Sequence, residues 1–180
     1  MHRSPRTLAD LPARDRDRVT VVIETPKGSP NKYGYDHEVG AFRLNAVLPE
    51  GVVFPFDFGF IPSTVGEDGD PLDVLVFLDA PTPVGCVISA RLIGVVGVRQ
   101  KEDGRWISND RILAVAAQSH TSGHIETLDD LRPHLLDEIE AFFRHYVELQ
   151  GREIDIGERG GVGRAHELLE DGMARAAKEG

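Results

Sequence analysis

Asp68-Gly69-Asp70-Pro71-Leu72-Asp73-Val74-Leu75-Val76-Phe77-Leu78 is the stretch on which the reading of this chain turns. Three carboxylates fall within six residues, stiffened by a proline, and run directly into an unbroken apolar segment. The segment from Asp73 to Leu78 reads as a buried central strand. The acids therefore stand at the mouth of a strand, on a rigid support. Three negative charges this close repel one another unless a cation neutralises them. Hard divalent ions prefer carboxylate oxygens, so the pattern points to Mg²⁺, with Mn²⁺ as the second choice. A Mg²⁺ site in turn points to phosphate chemistry. An EF-hand does not fit, because Pro71 interrupts the loop and a strand follows where a helix is required.

Working outward, short strands dominate the first two thirds of the chain. Val19 to Glu24 is an almost continuous β-branched run, and Lys32 to Asp36 and Gly40 to Leu48 read as extended. Phe54, Phe56, Phe58 and Phe60 alternate with Pro55, Asp57 and Gly59, which places four rings on one face: a core face, or the floor of a polar pocket. Cys86 to Arg99 is a long apolar strand or a bent pair of strands, with Gly94 and Gly97 as bulge or bend points, and Arg111 to Ala117 is another strand. Thr127 to Asp130 reads as a helical entry and Pro133 as first-turn residue of the next segment. Leu135, Leu136, Ile139, Phe142, Phe143, Tyr146 and Leu149 then recur at helical spacing up to Gly151. Residues 157–163, with four glycines, read as a loop, and Arg164 to Lys178 as a second helix. Many strands followed by two helices give an α+β domain, a small barrel or curled sheet with the helices packed outside. Residues 1–18 read as a flexible, solvated leader and 19–180 as a single domain.

The formal net charge of −10, from 30 acids against 20 bases, speaks against a general nucleic-acid binder, although the phenylalanine row could stack bases as an OB-type module would. One cysteine, Cys86, allows no intrachain disulfide and no thiolate zinc cluster, which suits a reducing compartment. No apolar stretch is long enough to span a membrane as a helix. A local basic cluster can still hold a phosphorylated substrate on an acidic protein. Lys32, Arg43 and Arg111 stand at or near strand edges and are the candidates, although each alone is more often a solvated surface charge. Glu24 ends the first strand beside Pro26 and is a candidate for orienting other polar groups.

Taken together, these segments resemble the soluble family I inorganic pyrophosphatases. The signature D-x-D-P-x-D-V stands here as Asp68 to Val74. Collinear matches run over roughly residues 19–160: V-V-I-E-T-P at 21–26, N-K-Y at 31–33, F-P-F-D-F-G-F-I at 54–61, G-V at 94–95, N-D-R-I-L-A-V at 109–115 and F-F-R-H-Y at 142–146. The resemblance implies an OB-like five-stranded β-barrel with flanking C-terminal helices, Mg²⁺-dependent hydrolysis of pyrophosphate, and a cytoplasmic homo-oligomer, a hexamer by preference. It implies Asp70 as general base and Asp68 and Asp73 as metal ligands. It places Glu24 in the outer metal shell, and Lys32, Arg111 and Tyr146 on phosphate oxygens.

The chain also departs from the family pattern. Gly34 stands for a glutamate, Ala46 for an arginine that Arg43 would replace, Phe54 and Phe58 for two tyrosines, and Val147 for a lysine. Two further metal aspartates are expected from the polar loop. Asn109 or Asp110 would fill one place, and Gln100, Glu102 or Asp103 the other; Asp110 and Asp103 are the preferred pair. With this thinner clamp, two alternatives stay open: a hydrolase of another phosphoanhydride, and a catalytically weakened homologue that binds metal or phosphate.

Overall fold

The computed structural model describes residues 7–179, with the side chain of Glu179 left aside. The sheet contains β1 (Arg14–Asp15), β2 (Arg18–Thr25), β5 (Asp57–Ile61), β6 (Leu72–Phe77), β7 (Val87–Glu102), β8 (Arg105–Ser108), β9 (Arg111–Ala116) and β10 (Ile154–Gly160). A separate hairpin is formed by β3 (Asn31–Asp36) and β4 (Ala41–Val47). Strand order in the sheet is β1-β2-β5-β6-β9-β7-β10, with β8 on β7, and β2 also pairs with β7. That last pairing closes β2, β5, β6, β9 and β7 into a ring of five strands, the expected barrel. Two helices, α1 (Leu135–Leu149) and α2 (Val162–Glu179), pack against it.

Ring closure explains the continuous apolar runs. A strand buried on both faces has no solvent side to alternate with. Val74 and Val76 of β6, and Ile112 and Ala114 of β9, join a core cluster closed by Ala165 and Leu169 of α2. Their neighbours Leu75, Phe77, Leu113 and Val115 join a second cluster closed by Leu135, Ile139, Phe143 and Val147 of α1. Burying each large side chain here contributes about 1.5–3 kcal/mol. Gly59 is required for closure: a Cβ there would lie 2.1 Å from the Val22 carbonyl oxygen on the neighbouring strand.

The pairing β6–β9 is parallel, with Val74 opposite Ile112. Asp73 and Arg111 are each the residue before that pair. The ladder itself therefore sets a carboxylate beside a guanidinium.

Three expectations are corrected. The glycine-rich 157–163 segment is largely strand, because Gly157 and Glu158 lie against Gly97 of β7: a Cβ on Gly97 would sit 2.6 Å from the Glu158 carbonyl oxygen. Glycine here permits close backbone approach rather than a loop. Thr127 does cap a turn, Leu128–Asp130, through Asp130, but the turn is 3-10 and ends at Leu131. Helix α1 starts only at Leu135, after His134 in a left-handed conformation, so Pro133 precedes it. Of the expected leader, residues 1–6 lie outside the described residues. Further on, Leu8–Asp10 form a 3-10 turn, Ala13 is buried, and β1 pairs with Arg18 and Val19. No described helix is long and apolar enough to cross a membrane.

Candidate active site

A cavity of about 640 Å³ opens between the β3–β4 hairpin, the Asp68–Asp73 loop, the far end of β7 and the C-terminal end of α1. Seven of the expected residues line it: Glu24, Lys32, Asp68, Asp70, Asp73, Arg111 and Tyr146. Strand ends deliver most of them. Glu24 is the penultimate residue of β2, Asp73 the second of β6, and Arg111 the first of β9.

The basic side of the cavity is buried and braced. The Arg111 side chain is 5% exposed and donates from Nη1 to Asp73 Oδ2 and to Asn109 Oδ1, the latter at 2.6 Å. Its guanidinium lies 5.3 Å from the Phe143 ring centre and 5.8 Å from that of Phe58, both within cation–π range. Burial draws its pKa down to about 10, against the charge of Asp68, which leaves it cationic at neutral pH. The Lys32 ammonium lies 4.6 Å from the Phe58 ring centre and 3.8 Å from Glu24 Oε2, and donates to the Tyr33 carbonyl at 3.0 Å. Burial lowers its pKa below the usual lysine value, against the pull of Glu24. Burial also raises the Glu24 carboxyl, against Lys32 and the Tyr35 N–H that Glu24 accepts at 2.7 Å. That last bond and the Thr25–Tyr33 pair tie the hairpin to β2. The four-phenylalanine face serves both readings. Phe54 and Phe58 are core residues and also floor the cavity beneath Lys32.

The acidic side is open. Asp70 is exposed; Asp68 is half-buried and accepts the Asp70 N–H at 3.1 Å. Partial burial and the Asp70 charge raise the Asp68 carboxyl, against that N–H and Arg111. Among the described residues no three Asp, Glu, His or Cys side chains converge as a ready-made metal cage. Mg²⁺ does not demand one: it keeps several waters and takes one or two carboxylates together with substrate phosphates. The hard oxygens of Asp68, Asp70, Asp73 and Glu24, two of them raised in pKa by excess negative charge or burial, fit such an ion.

Three expected residues stand elsewhere. Arg43 projects from β4, 61% exposed, and pairs with Asp36 at 2.6 Å, so it does not stand in for the missing arginine at Ala46. Asp103 is exposed at the β7–β8 turn, in a left-handed conformation that leaves it outside the cavity. Asp110 points to the opposite face, where it accepts the Val98 N–H at 3.0 Å and faces Arg164 at 3.7 Å. Asn109, one residue earlier, is the one that lines the cavity. Of the open alternatives on β7, Gln100 and Glu102 line it as well. The sequence reading passed over Arg152, Gln150, Asn45 and His37, which also line it. Gln150 carried a signal, standing four residues after Tyr146 on the same helix face. Arg152 follows Gly151, whose left-handed turn ends α1 and whose successor's N–H returns to the Val147 carbonyl at 3.3 Å.

The comparisons agree with this geometry. A sequence model of the inorganic pyrophosphatase family matches residues 21–177. The inorganic pyrophosphatase of Nostoc sp. is 41% identical over 150 residues, which is 83% of this chain and 86% of that protein. That of Methanosarcina acetivorans is 37% identical over 165 residues, 92% and 96% of the two chains. The crystal structure of the Thermus thermophilus inorganic pyrophosphatase superposes with a TM-score of 0.84 at 33% identity, covering 93% of this chain and 97% of the other. Matched by the family model over residues 21–177 and by relatives over most of its length, this chain belongs to the inorganic pyrophosphatase family.

Proposed function

We infer that the protein hydrolyses inorganic pyrophosphate to two phosphates, with Mg²⁺ as its divalent cofactor. The observation that carries this is the facing of two charge sets across one cavity: Asp68, Asp70, Asp73 and Glu24 against Lys32 and Arg111. Asp68 and Asp73 would hold the cation, with Glu24 behind them. When bound, the ion supplies electrophilic polarisation of a phosphoryl oxygen and eases ionisation of water. Asp70, exposed and beside the cavity, accepts the proton of the attacking water. A new P–O bond forms as the bridging P–O bond breaks, and the released phosphate departs as the leaving group. Lys32, Arg111 and the Tyr146 hydroxyl hold the non-bridging oxygens and neutralise developing charge. Phosphate release should require Mg²⁺ and should vanish in Asp70→Asn; metal-independent release, or full activity in that variant, refutes the assignment.

A second reading, cleavage of a longer phosphoanhydride, is favoured at one wall. Gly34 and Ala46 put no charged side chain there, and the neutral Asn45 amide lies over Gly34, where a Cβ would meet its nitrogen at 2.2 Å, so this wall carries no charge that would select a short anion. Faster turnover of tripolyphosphate than of pyrophosphate would select it. The assembly belongs to the same proposal. On β4, Leu44 and Val47 are 55% and 65% exposed, which supports a homo-oligomer, a hexamer by family preference, in the cytoplasm. Light scattering measures its mass.

A further inference from the structure

The inward face of β7 changes character along its length. Val96 and Val98 are buried in the aromatic core cluster. Two residues on, in the same alternation, stands Gln100, 2% exposed and lining the cavity. Its backbone is engaged on both sides, in register with Ile154 of β10 and Ile107 of β8. The side-chain amide has no such engagement: Nε2 is buried and has no hydrogen-bond partner. An apolar residue at that point would continue the core without an orphaned donor, so the amide is costly unless something else satisfies it. Arg111 repeats the pattern, since its Nε is also buried and unpartnered on the same cavity. Two orphaned donors border one cavity, and an acceptor-rich ligand there would satisfy them.

We propose that Gln100 is a substrate-binding residue, its side-chain amide turning from its buried, unpartnered position to donate to a non-bridging phosphoryl oxygen of the bound diphosphate while the Arg111 guanidinium engages the same anion. This rests on the diphosphatase reading of the cavity. A carboxamide suits the place because it adds a donor without adding charge. The cavity already carries the cations Lys32, Arg111 and Arg152, and a further cation on β7 would compete with the metal for the carboxylates. A carboxylate at the same point would instead be a metal ligand and would repel the substrate. The position therefore takes the part of an anion clamp.

The test uses the full chain with Gln100→Leu and Gln100→Glu. Calorimetry measures inorganic phosphate binding at saturating Mg²⁺ and Mg²⁺ binding alone, with thermal melts alongside. Gln100→Leu should weaken phosphate binding about tenfold to hundredfold, the range for a hydrogen bond to a charged acceptor. Its Mg²⁺ affinity should be unchanged and its Tm equal or higher, because an unpartnered buried donor has been removed. Gln100→Glu should weaken phosphate binding at least as much. Unchanged phosphate affinity in Gln100→Leu overturns the proposal. So does a Gln100→Glu protein that binds Mg²⁺ and phosphate more tightly than the parent, which would assign the position to the metal. So does a fall in phosphate affinity matched by a falling Tm. If the parent protein binds phosphate in this Gln100-dependent way yet does not cleave pyrophosphate, the anion contact stands and the diphosphatase reading fails.

Discussion

The two sides of the cavity are built on opposite principles. The acids of the Asp68–Asp73 loop stand toward water, with Asp70 exposed and Asp68 half-buried. The cations Lys32 and Arg111 are sunk into an aromatic floor and braced by Glu24, Asp73 and Asn109. A carboxylate in water is cheap to hold and free to exchange protons or ions. A buried guanidinium is preorganised, because its orienting contacts are formed before the substrate arrives, and it acts in a medium that screens it little. The exposed side is thus suited to exchange and the buried side to fixed recognition. Substitutions on the two sides should fail in different ways.

Asp70→Asn should give the largest effect. Loss of a general base typically costs 10²- to 10⁴-fold in rate, and about that loss in kcat is expected, with KM and Tm near those of the parent because the side chain is exposed. A large drop in Tm would mean that the acidic side is structural after all. Arg111→Met comes next, with phosphate binding weakened about tenfold to hundredfold for the lost charge-assisted contact. It has a second signature. Arg111 engages Asp73, so it competes with a divalent ion for that carboxylate. Metal affinity of the substrate-free variant should rise as phosphate affinity falls, read by Mn²⁺ titration. If both fall together, the two sides are one cooperative unit and the contrast between them breaks down.

Much of this was legible in the chain, for local reasons. The acidic loop and its strand are contiguous, so sequence alone placed Asp68, Asp70 and Asp73 together. The barrel or curled sheet was legible from many short strands followed by two helices, and α1 from its spacing. What failed depended on facing. Asp110 was preferred to Asn109 for its charge, yet in a strand approach only one of two neighbours can face the cavity, and Arg111, which does, shares parity with Asn109. Arg43 was preferred for its proximity in sequence to Ala46, but its side chain is exposed and pairs with Asp36 instead of lining the cavity. The glycines of 157–163 were read as a loop, although Gly157 is set by close approach to Gly97. Arg152 reaches the cavity only through the left-handed turn at Gly151, which no periodicity encodes.

The smallest effect should come from Lys32→Arg, and it sharpens the contrast through pH. Burial sets the Lys32 pKa below the usual 10.5, with Glu24 opposing and Arg111 adding to the shift. For a base lowered in the fold, the charged form is penalised relative to the unfolded chain. That penalty is full below the folded pKa, fades as pH rises through it, and is gone above 10.5. Substrate binding runs the other way, since the ammonium that costs stability is the one that holds phosphate. The alkaline limb of kcat/KM should therefore fall at a pH below 10.5, while this group's contribution to stability improves over the same window. A guanidinium does not titrate there, so Lys32→Arg should move the limb upward while costing no more than about tenfold at neutral pH. A limb that stays in place belongs instead to Arg111, drawn to about 10 by the same burial. In either case the alkaline limit is a property of the buried floor, where burial disfavours the charged forms of both Lys32 and Arg111.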